Sequence, residues 1–267
     1  MTERAALVES LEKAGVRKSD ILMVHSNVSR LLKLPLQTNE RLRFFLDALL
    51  DAVSDGMLIV PTFSYRFCDG APFDMARTPS EVGLFTEFVR RDPRALRSTH
   101  PIFSVAAIGA DAPFLCRHLS NASYGAGSIF ERLYASDAKL LHFDVPLADA
   151  CTFAHFPEQS VGVPYRYSKH FRGVSVIEGE STVGDWEFYV RATERWDFLP
   201  QPANELRYPK DLVAKGHSVF GTWKDLPLTV TPCRGIFDVI SAGVRADPYY
   251  MLAGPPRLKR PSASTTQ

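Results

Sequence analysis

The sequence predicts an α/β fold in which helices cover a largely central sheet. Two observations carry this expectation: the first 60 residues alternate helical and strand patterns, and their strand segments are unbroken apolar runs of the kind a sheet buried on both faces can hold. A length of 267 residues suits one such unit. Residues 1–255 are read as a single domain with a smaller strand-rich C-terminal part, and residues 256–267 as a disordered tail.

Residues 3–14 form a short amphipathic helix, and Ser19-Asp20 punctuates before the apolar run Ile21-Leu22-Met23-Val24, a buried strand that ends at His25-Ser26. Leu42, Phe45, Leu46, Leu49, Leu50 and Val53 recur at helical spacing, and Asp55-Gly56 stops them before a second buried strand at residues 57–60. Residues 61–79 are dense in aromatic, Pro, Gly and Asp residues, a length and composition that mark a functional loop. Thr78-Pro79-Ser80-Glu81 announces a helix through Phe85, Phe88 and Val89. A strand at residues 103–108, a helix from Asp111, a helix capped by Ser128 and a strand at residues 139–143 follow. The last third carries weaker strand patterns at 174–177, 186–190 and 226–230, then a helix at 236–244.

The charge balance, 31 Lys+Arg against 30 Asp+Glu, excludes the basic surplus of a nucleic-acid binder and the acidic surplus of a disordered chain. No apolar run reaches the roughly 18 residues of a membrane span, and the N-terminal residues lack a signal-peptide core, so the expected location is cytoplasmic. Cys68, Cys116, Cys151 and Cys233 stand far apart, which predicts free thiols and neither a disulfide framework nor a thiolate zinc site.

Three segments can carry chemistry. At Val24-His25-Ser26-Asn27-Val28-Ser29 a strand runs into a hydroxyl-rich turn, suited either to a phosphate at a following helix start or to ordinary capping. At Arg97-Ser98-Thr99-His100-Pro101 an arginine and two hydroxyls can clamp a phosphate or simply stabilise a turn. In Cys151-Thr152-Phe153-Ala154-His155-Phe156-Pro157-Glu158, a helical path puts His155 and Glu158 on one face, where the carboxylate fixes the imidazole tautomer for general-base work; the alternative is a surface ion pair. Pro157 is compatible only with a helix that starts late or is distorted. Two rival readings are a Cys151–His155 nucleophile and base, and a metal site of His142, Asp144, Asp149 and His155, whose spacing matches no established ligand motif.

The order of these motifs resembles the aminoglycoside 3-N-acetyltransferase family over roughly residues 5–180. The resemblance is carried by His25-Ser26, Val60-Pro61-Thr62-Phe63, residues 73–83, Arg97-Ser98-Thr99-His100-Pro101 with Ser104, Gly125-Ala126-Gly127-Ser128, and Thr152-Phe153-Ala154-His155 with Glu158. It implies a three-layer α/β/α sandwich around a central mixed sheet, and an enzyme that transfers an acyl group from acetyl-CoA, or a related acyl-CoA, to a primary amine of an aminosugar, without a metal. By the same resemblance His155 is the catalytic base, Glu158 its orienting acid and Thr152 the hydroxyl near the thioester. His25, Ser26, Ser29, Arg97, Ser98, His100 and Ser104 fall on CoA-binding stretches, and Phe63, Tyr65, Asp74, Asp144, Tyr165 and Arg166 on the acceptor side. The chain departs from the family in residues 142–150, one residue longer than the usual glycine turn, and at Pro157. Expected partners are therefore an amine acceptor and acyl-CoA, with no nucleic acid or membrane, and a homodimer is left open. The basic and aromatic residues Tyr165, Arg166, Tyr167, Lys169, His170 and Arg172 suit a nucleotide-linked aminosugar, whereas Glu178, Glu180, Asp185 and Glu187 suit a polycationic antibiotic. Residues 162–173 also resemble family members associated with surface polysaccharides, which tips the expected acceptor toward a sugar pathway. A catalytically silent CoA- or sugar-binding relative and a hydrolase are the competing functions.

Overall fold

The computed structural model describes residues 2–31, 37–202 and 205–259. In chain order the elements are α1 (Glu3–Lys13), β1 (Ile21–Ser26), α2 (Thr38–Ala52), β2 (Met57–Pro61), β3 (Phe73–Asp74), α3 (Leu84–Arg90), β4 (Leu96–Arg97), β5 (Val105–Ile108), α4 (Ala112–Cys116), α5 (Ile129–Ala135) and β6 (Lys139–Phe143). They continue with α6 (Leu147–Ala150), α7 (His155–Val161), β7 (Arg166–Ile177), β8 (Glu180–Arg191), β9 (Trp196–Asp197), α8 (Arg207–Ala214), β10 (Val219–Trp223), β11 (Leu226–Pro232), α9 (Cys233–Ala246) and β12 (Arg257–Leu258).

The central sheet has seven strands in the order β10-β11-β6-β1-β2-β5-β4. β1 runs parallel to β2 on one side and to β6 on the other, and the outer pairings are antiparallel. Successive strand side chains point to opposite faces. Leu22, Val24, Leu58, Val60, Leu141 and Phe143 pack against α1, α2 and α3, while Met23, Met57, Ile59 and Leu140 pack against α4, α5, α7 and α9. The result is the α/β/α sandwich with a mixed sheet.

Because β1 is flanked on both sides by parallel neighbours reached through different connections, the crevice at the C-terminal ends of β1 and β6 is the switch point where α/β sheets of this kind bind ligands. By the alternation of β1 and β6, His25 and His142 point to the α7 face. They are register partners and stack with ring centroids 5.2 Å apart.

Outside the sandwich, β7 and β8 form a long hairpin joined through Glu178 (φ 51°) and Gly179 (φ 88°), the left-handed pair of a tight two-residue turn. β3 adds to this hairpin in parallel, so the 61–79 loop is ordered by becoming a third strand. The helix expected from Thr78 begins only at Leu84, because Gly83 (φ 138°) stands at its N-cap. The expected tail is partly structured: Leu258 and Arg257 pair with Trp196 and Asp197. Residues 260–267 lie outside the described residues. Among the described residues no helix is long and apolar enough to cross a membrane.

Gly56 shows how tightly the first βαβ unit closes. A Cβ there would lie 2.1 Å from the Asp20 carbonyl oxygen, which accepts the Met57 N–H at 3.0 Å. Gly56→Ala therefore has to push two strands apart, and is expected to destabilise the fold by about 2–3 kcal/mol, a drop in Tm of roughly 5–10 °C for a domain of this size. Thermal unfolding checks this, and an unchanged Tm contradicts it.

Candidate active site

The segment after β6 builds the site. A single 3-10 turn, Thr152–Ala154, leads directly into α7 at His155. Pro157 thus falls in the first turn of the helix, where backbone N–H groups have no intrahelical acceptor, and its missing donor breaks no helix bond. The late start expected from Pro157 is what makes the helix possible.

His155 and Glu158 meet on one face of α7, with Nδ1 2.5 Å from Glu158 Oε2. Glu158 is 1% exposed, and its remaining contacts come from the hairpin: the Tyr165 hydroxyl donates to Oε1 at 2.5 Å, and Arg166 Nε lies 3.2 Å from Oε2. Burial alone would raise the carboxyl pKa, but Arg166, His155 and Tyr165 outweigh it and hold Glu158 down at about 2. Burial, aided by the positive charge of Arg166, lowers the His155 pKa against the opposing pull of Glu158. The ring is therefore neutral near pH 7. With an ionised carboxylate at Nδ1, that nitrogen carries the proton and Nε2 keeps its lone pair. Burial, then Glu158, keeps the Tyr165 hydroxyl protonated, so it donates and does not compete for the proton.

A cleft of about 260 Å³ opens beside this dyad, lined among others by Asp149, Thr152, His155, Arg166, Arg191, Gln201 and Tyr208. Thr152 stands at its wall, one helical turn before His155. Cys151 also lines it, but burial pushes its thiol up to about 12, which leaves no thiolate for the nucleophile reading. The four candidate metal ligands do not converge. Asp144 accepts from Arg30 Nε at 2.9 and 3.1 Å, and His142 stacks on His25. Among the described residues no group of three or more His, Cys, Asp or Glu side chains has metal-site geometry.

The Arg97 segment is not a phosphate clamp. Arg97 is 7% exposed, and its guanidinium donates to the Thr62 carbonyl at 2.9 Å, to the Met75 and Thr78 carbonyls, and to the hydroxyls of Ser64 and Ser104, while lying over the Phe73 ring. It staples the 61–79 loop to the sheet. Ser98 and Ser104 are fully buried in the same network: Ser98 Oγ accepts from Val105 N and Ser104 Oγ donates to the Thr62 carbonyl. His100 Nδ1 accepts from the Ile102 and Phe103 amides, and burial lowers its pKa to about 4.

The other expectations divide. His25 is buried, and burial lowers its pKa to about 4, so it offers a phosphate no cation. Asn27 and Val28 leave the strand without regular structure, Ser29 and Arg30 form a turn, and Leu31 is helical. Ser29 donates to Asn27 Oδ1, and Arg30 ties the turn to Asp144, while residues 32–36, where the expected helix would continue, lie outside the described residues. Ser26 and Ser29 remain at the C-terminal end of β1, with Ser29 exposed. Asp144 is thus a positioning carboxylate and not a free acceptor contact. Phe63 is buried against Phe103, and Asp74 Oδ1 accepts the Ala76 and Arg77 amides of its own turn. Tyr165 and Arg166 reach the site through Glu158. Tyr65 keeps an exposed edge, stacked on Phe188. Sequence reasoning missed Arg191, Gln201 and Tyr208, which come from distant segments.

The model of the family described as aminoglycoside 3-N-acetyltransferase matches residues 23–243. The chain belongs to that family. Aminoglycoside N(3)-acetyltransferase III of Pseudomonas aeruginosa is 30% identical over 174 residues, 58% of this chain and 62% of that protein. Aminoglycoside N(3)-acetyltransferase VIII of Streptomyces fradiae is 29% identical over 188 residues, 60% and 62% of the two chains. The chain thus spans about six-tenths of the length of the curated relatives it matches. The fold matches that of AAC-IIIb, solved as a binary complex with CoASH, at a TM-score of 0.77 and 22% identity, covering 91% of this chain and 96% of that one. A mutant of aminoglycoside acetyltransferase AAC(3)-IVa in complex with a gentamicin matches at a TM-score of 0.74 and 25% identity, covering 94% and 91%.

The network around Arg97 makes a prediction opposite to a phosphate role. Arg97→Met leaves buried carbonyls without donors and should cost about 3 kcal/mol of stability. Acetyl-CoA affinity, measured by calorimetry on the folded variant, should stay within about threefold, since no phosphate contact is lost. A variant of normal stability that binds CoA tenfold more weakly would restore the phosphate reading.

Proposed function

We propose that this chain is an acyl-CoA-dependent N-acyltransferase that acetylates a primary amine of an aminosugar, with His155 as general base, Glu158 as its orienter and Thr152 beside the thioester. The observation that carries the reading is the buried Glu158 carboxylate on His155 Nδ1, which leaves Nε2 a free base at the wall of a cleft. Family membership supports it, and so do the CoASH and the gentamicin bound to the two neighbours.

An amine near pH 7 is protonated and must lose a proton before it attacks. Nε2 of His155 takes that proton directly or through a water, and the charge formed on the ring is balanced by Glu158. The nitrogen lone pair adds to the thioester carbonyl, a C–N bond forms, and negative charge collects on the carbonyl oxygen. The Thr152 hydroxyl at the cleft wall is the donor placed to meet that charge. Collapse breaks the C–S bond, the proton held on His155 passes to the departing CoA thiolate, and the second proton lost by the nitrogen as it becomes an amide goes to solvent. Nothing in this sequence uses Cys151. The turn that follows Ser26, with Ser29 exposed at the C-terminal end of β1, is the place in the fold best suited to the CoA side of the reaction.

Thiol release from acetyl-CoA, measured against a panel of aminoglycosides and aminosugars, tests the reaction. His155→Ala should lower kcat by about 10² to 10⁴, with acetyl-CoA binding preserved; a variant retaining more than a tenth of the rate contradicts the assignment. The pH profile has a definite sign. The base works only when neutral, and both burial and Arg166 lower its pKa, so kcat/KM should fall on the acid side with a midpoint below the ordinary 6.5 and be insensitive to His155 above it. An acid limb centred above 7 would contradict this.

A further inference from the structure

Two arginines stand opposite one another at the wall of the cleft. Arg166 and Arg191 are register partners in β7 and β8, and both line the cleft beside His155. Like charges placed directly across an antiparallel pair repel. The buried carboxylate available to them is Glu158, and it is spent on Arg166, His155 and Tyr165. Among the described residues no carboxylate lies within 4 Å of Arg191. Asp149, the other acid lining the cleft, is exposed at its rim.

Arg191 is also held in place. It donates to Gln201 Oε1, and Gln201 is fixed in turn by donating to the Met251 carbonyl at 3.1 Å. Its guanidinium lies 5.3 Å over the Phe198 ring. Burial, and then the charge of Arg166, pull its pKa below the ordinary arginine range against the opposing pull of the more distant Glu158. A positioned, half-buried guanidinium beside the reacting base is a receptor for a carboxylate or phosphate.

We propose that the acceptor carries an anionic group, carboxylate or phosphate, near its primary amine, and that Arg191 selects it. This deepens the N-acyltransferase reading and rests on His155 being its base. The anion belongs to the acceptor and not to CoA, because the whole pantetheine arm separates the thioester at His155 from the CoA diphosphate. A polycationic acceptor would instead bring ammonium groups against Arg191.

The test compares kcat/KM for D-glucosamine and kanamycin with that for D-glucosamine 6-phosphate, uridine diphosphate-glucosamine and 2-amino-2-deoxy-D-glucuronic acid, which separate a phosphate from a carboxylate. At least one anionic acceptor should exceed both amines that lack an anionic group by about tenfold or more. Arg191→Gln should reduce that ratio by a similar factor, and Arg191→Lys should restore part of it. Preference for glucosamine or kanamycin, or a ratio unmoved by Arg191→Gln, overturns the proposal. Calorimetric titration with the same compounds keeps the two readings apart. If no acceptor is turned over, the acyltransferase reading fails, and binding of an anionic aminosugar that is lost in Arg191→Gln still supports the anion site; equal binding or none overturns it.

Discussion

A carboxylate almost wholly removed from water must be given partners, because an unpaired buried charge costs several kcal/mol. Glu158 receives them from two separate parts of the fold. His155 comes from its own helix, whereas Tyr165 and Arg166 come from the foot of the hairpin that follows. This one charge therefore ties α7 of the sandwich to the small outer sheet, and the hairpin cannot swing away without stranding it. The same tie sets the chemistry. A neutral imidazole with Nδ1 bonded to an anion has its free lone pair at Nε2, and the nearby Arg166 keeps the ring from being protonated too readily.

The sheet decides where this assembly sits. β1 and β6 are parallel neighbours, and their C-terminal ends carry His25 and His142 toward the α7 face. Asp144, just past β6, is held by Arg30 from the turn after β1, so the two strand ends are locked to each other beside the loop that delivers Thr152 and His155. On the far side, Arg97 fastens the aromatic loop after β2 through carbonyls. Two arginines thus fix loops around the crevice, while a third, Arg191, faces the cleft without a carboxylate of its own.

What is legible in the sequence is local. The helical stripe from Leu42 to Val53, the apolar runs of β1 and β2, the Ser128 cap and the His155–Glu158 pair are all defined by contacts within about four residues, which spacing reveals directly. Arg97 misleads because an arginine beside hydroxyls in a turn has the same pattern whether its donors meet a phosphate or the chain's own carbonyls. Only burial distinguishes the two. Asp144 and Tyr165 look like free polar groups until partners 114 and 7 residues away are known. Arg191 lies furthest from view. Its place opposite Arg166 follows from the sequence only if Glu178-Gly179 is taken as a two-residue hairpin turn, which sets the register of the two strands. α8 and β10 escape for another reason: Pro209 interrupts the pattern of the first, and exposed Val219 and Phe220 blur the alternation of the second.

The state of the His155 ring is the centre of the proposed chemistry, and nitrogen NMR of the ¹⁵N-histidine-labelled protein reads it directly, with His155→Gln to assign the signal. At pH 7 the ring should be neutral, with the proton on Nδ1 and Nε2 unprotonated, and it should become an imidazolium only below pH 6.5. A ring that carries its proton on Nε2, or that is already an imidazolium at pH 7, would mean that Glu158 does not hold His155 as a base.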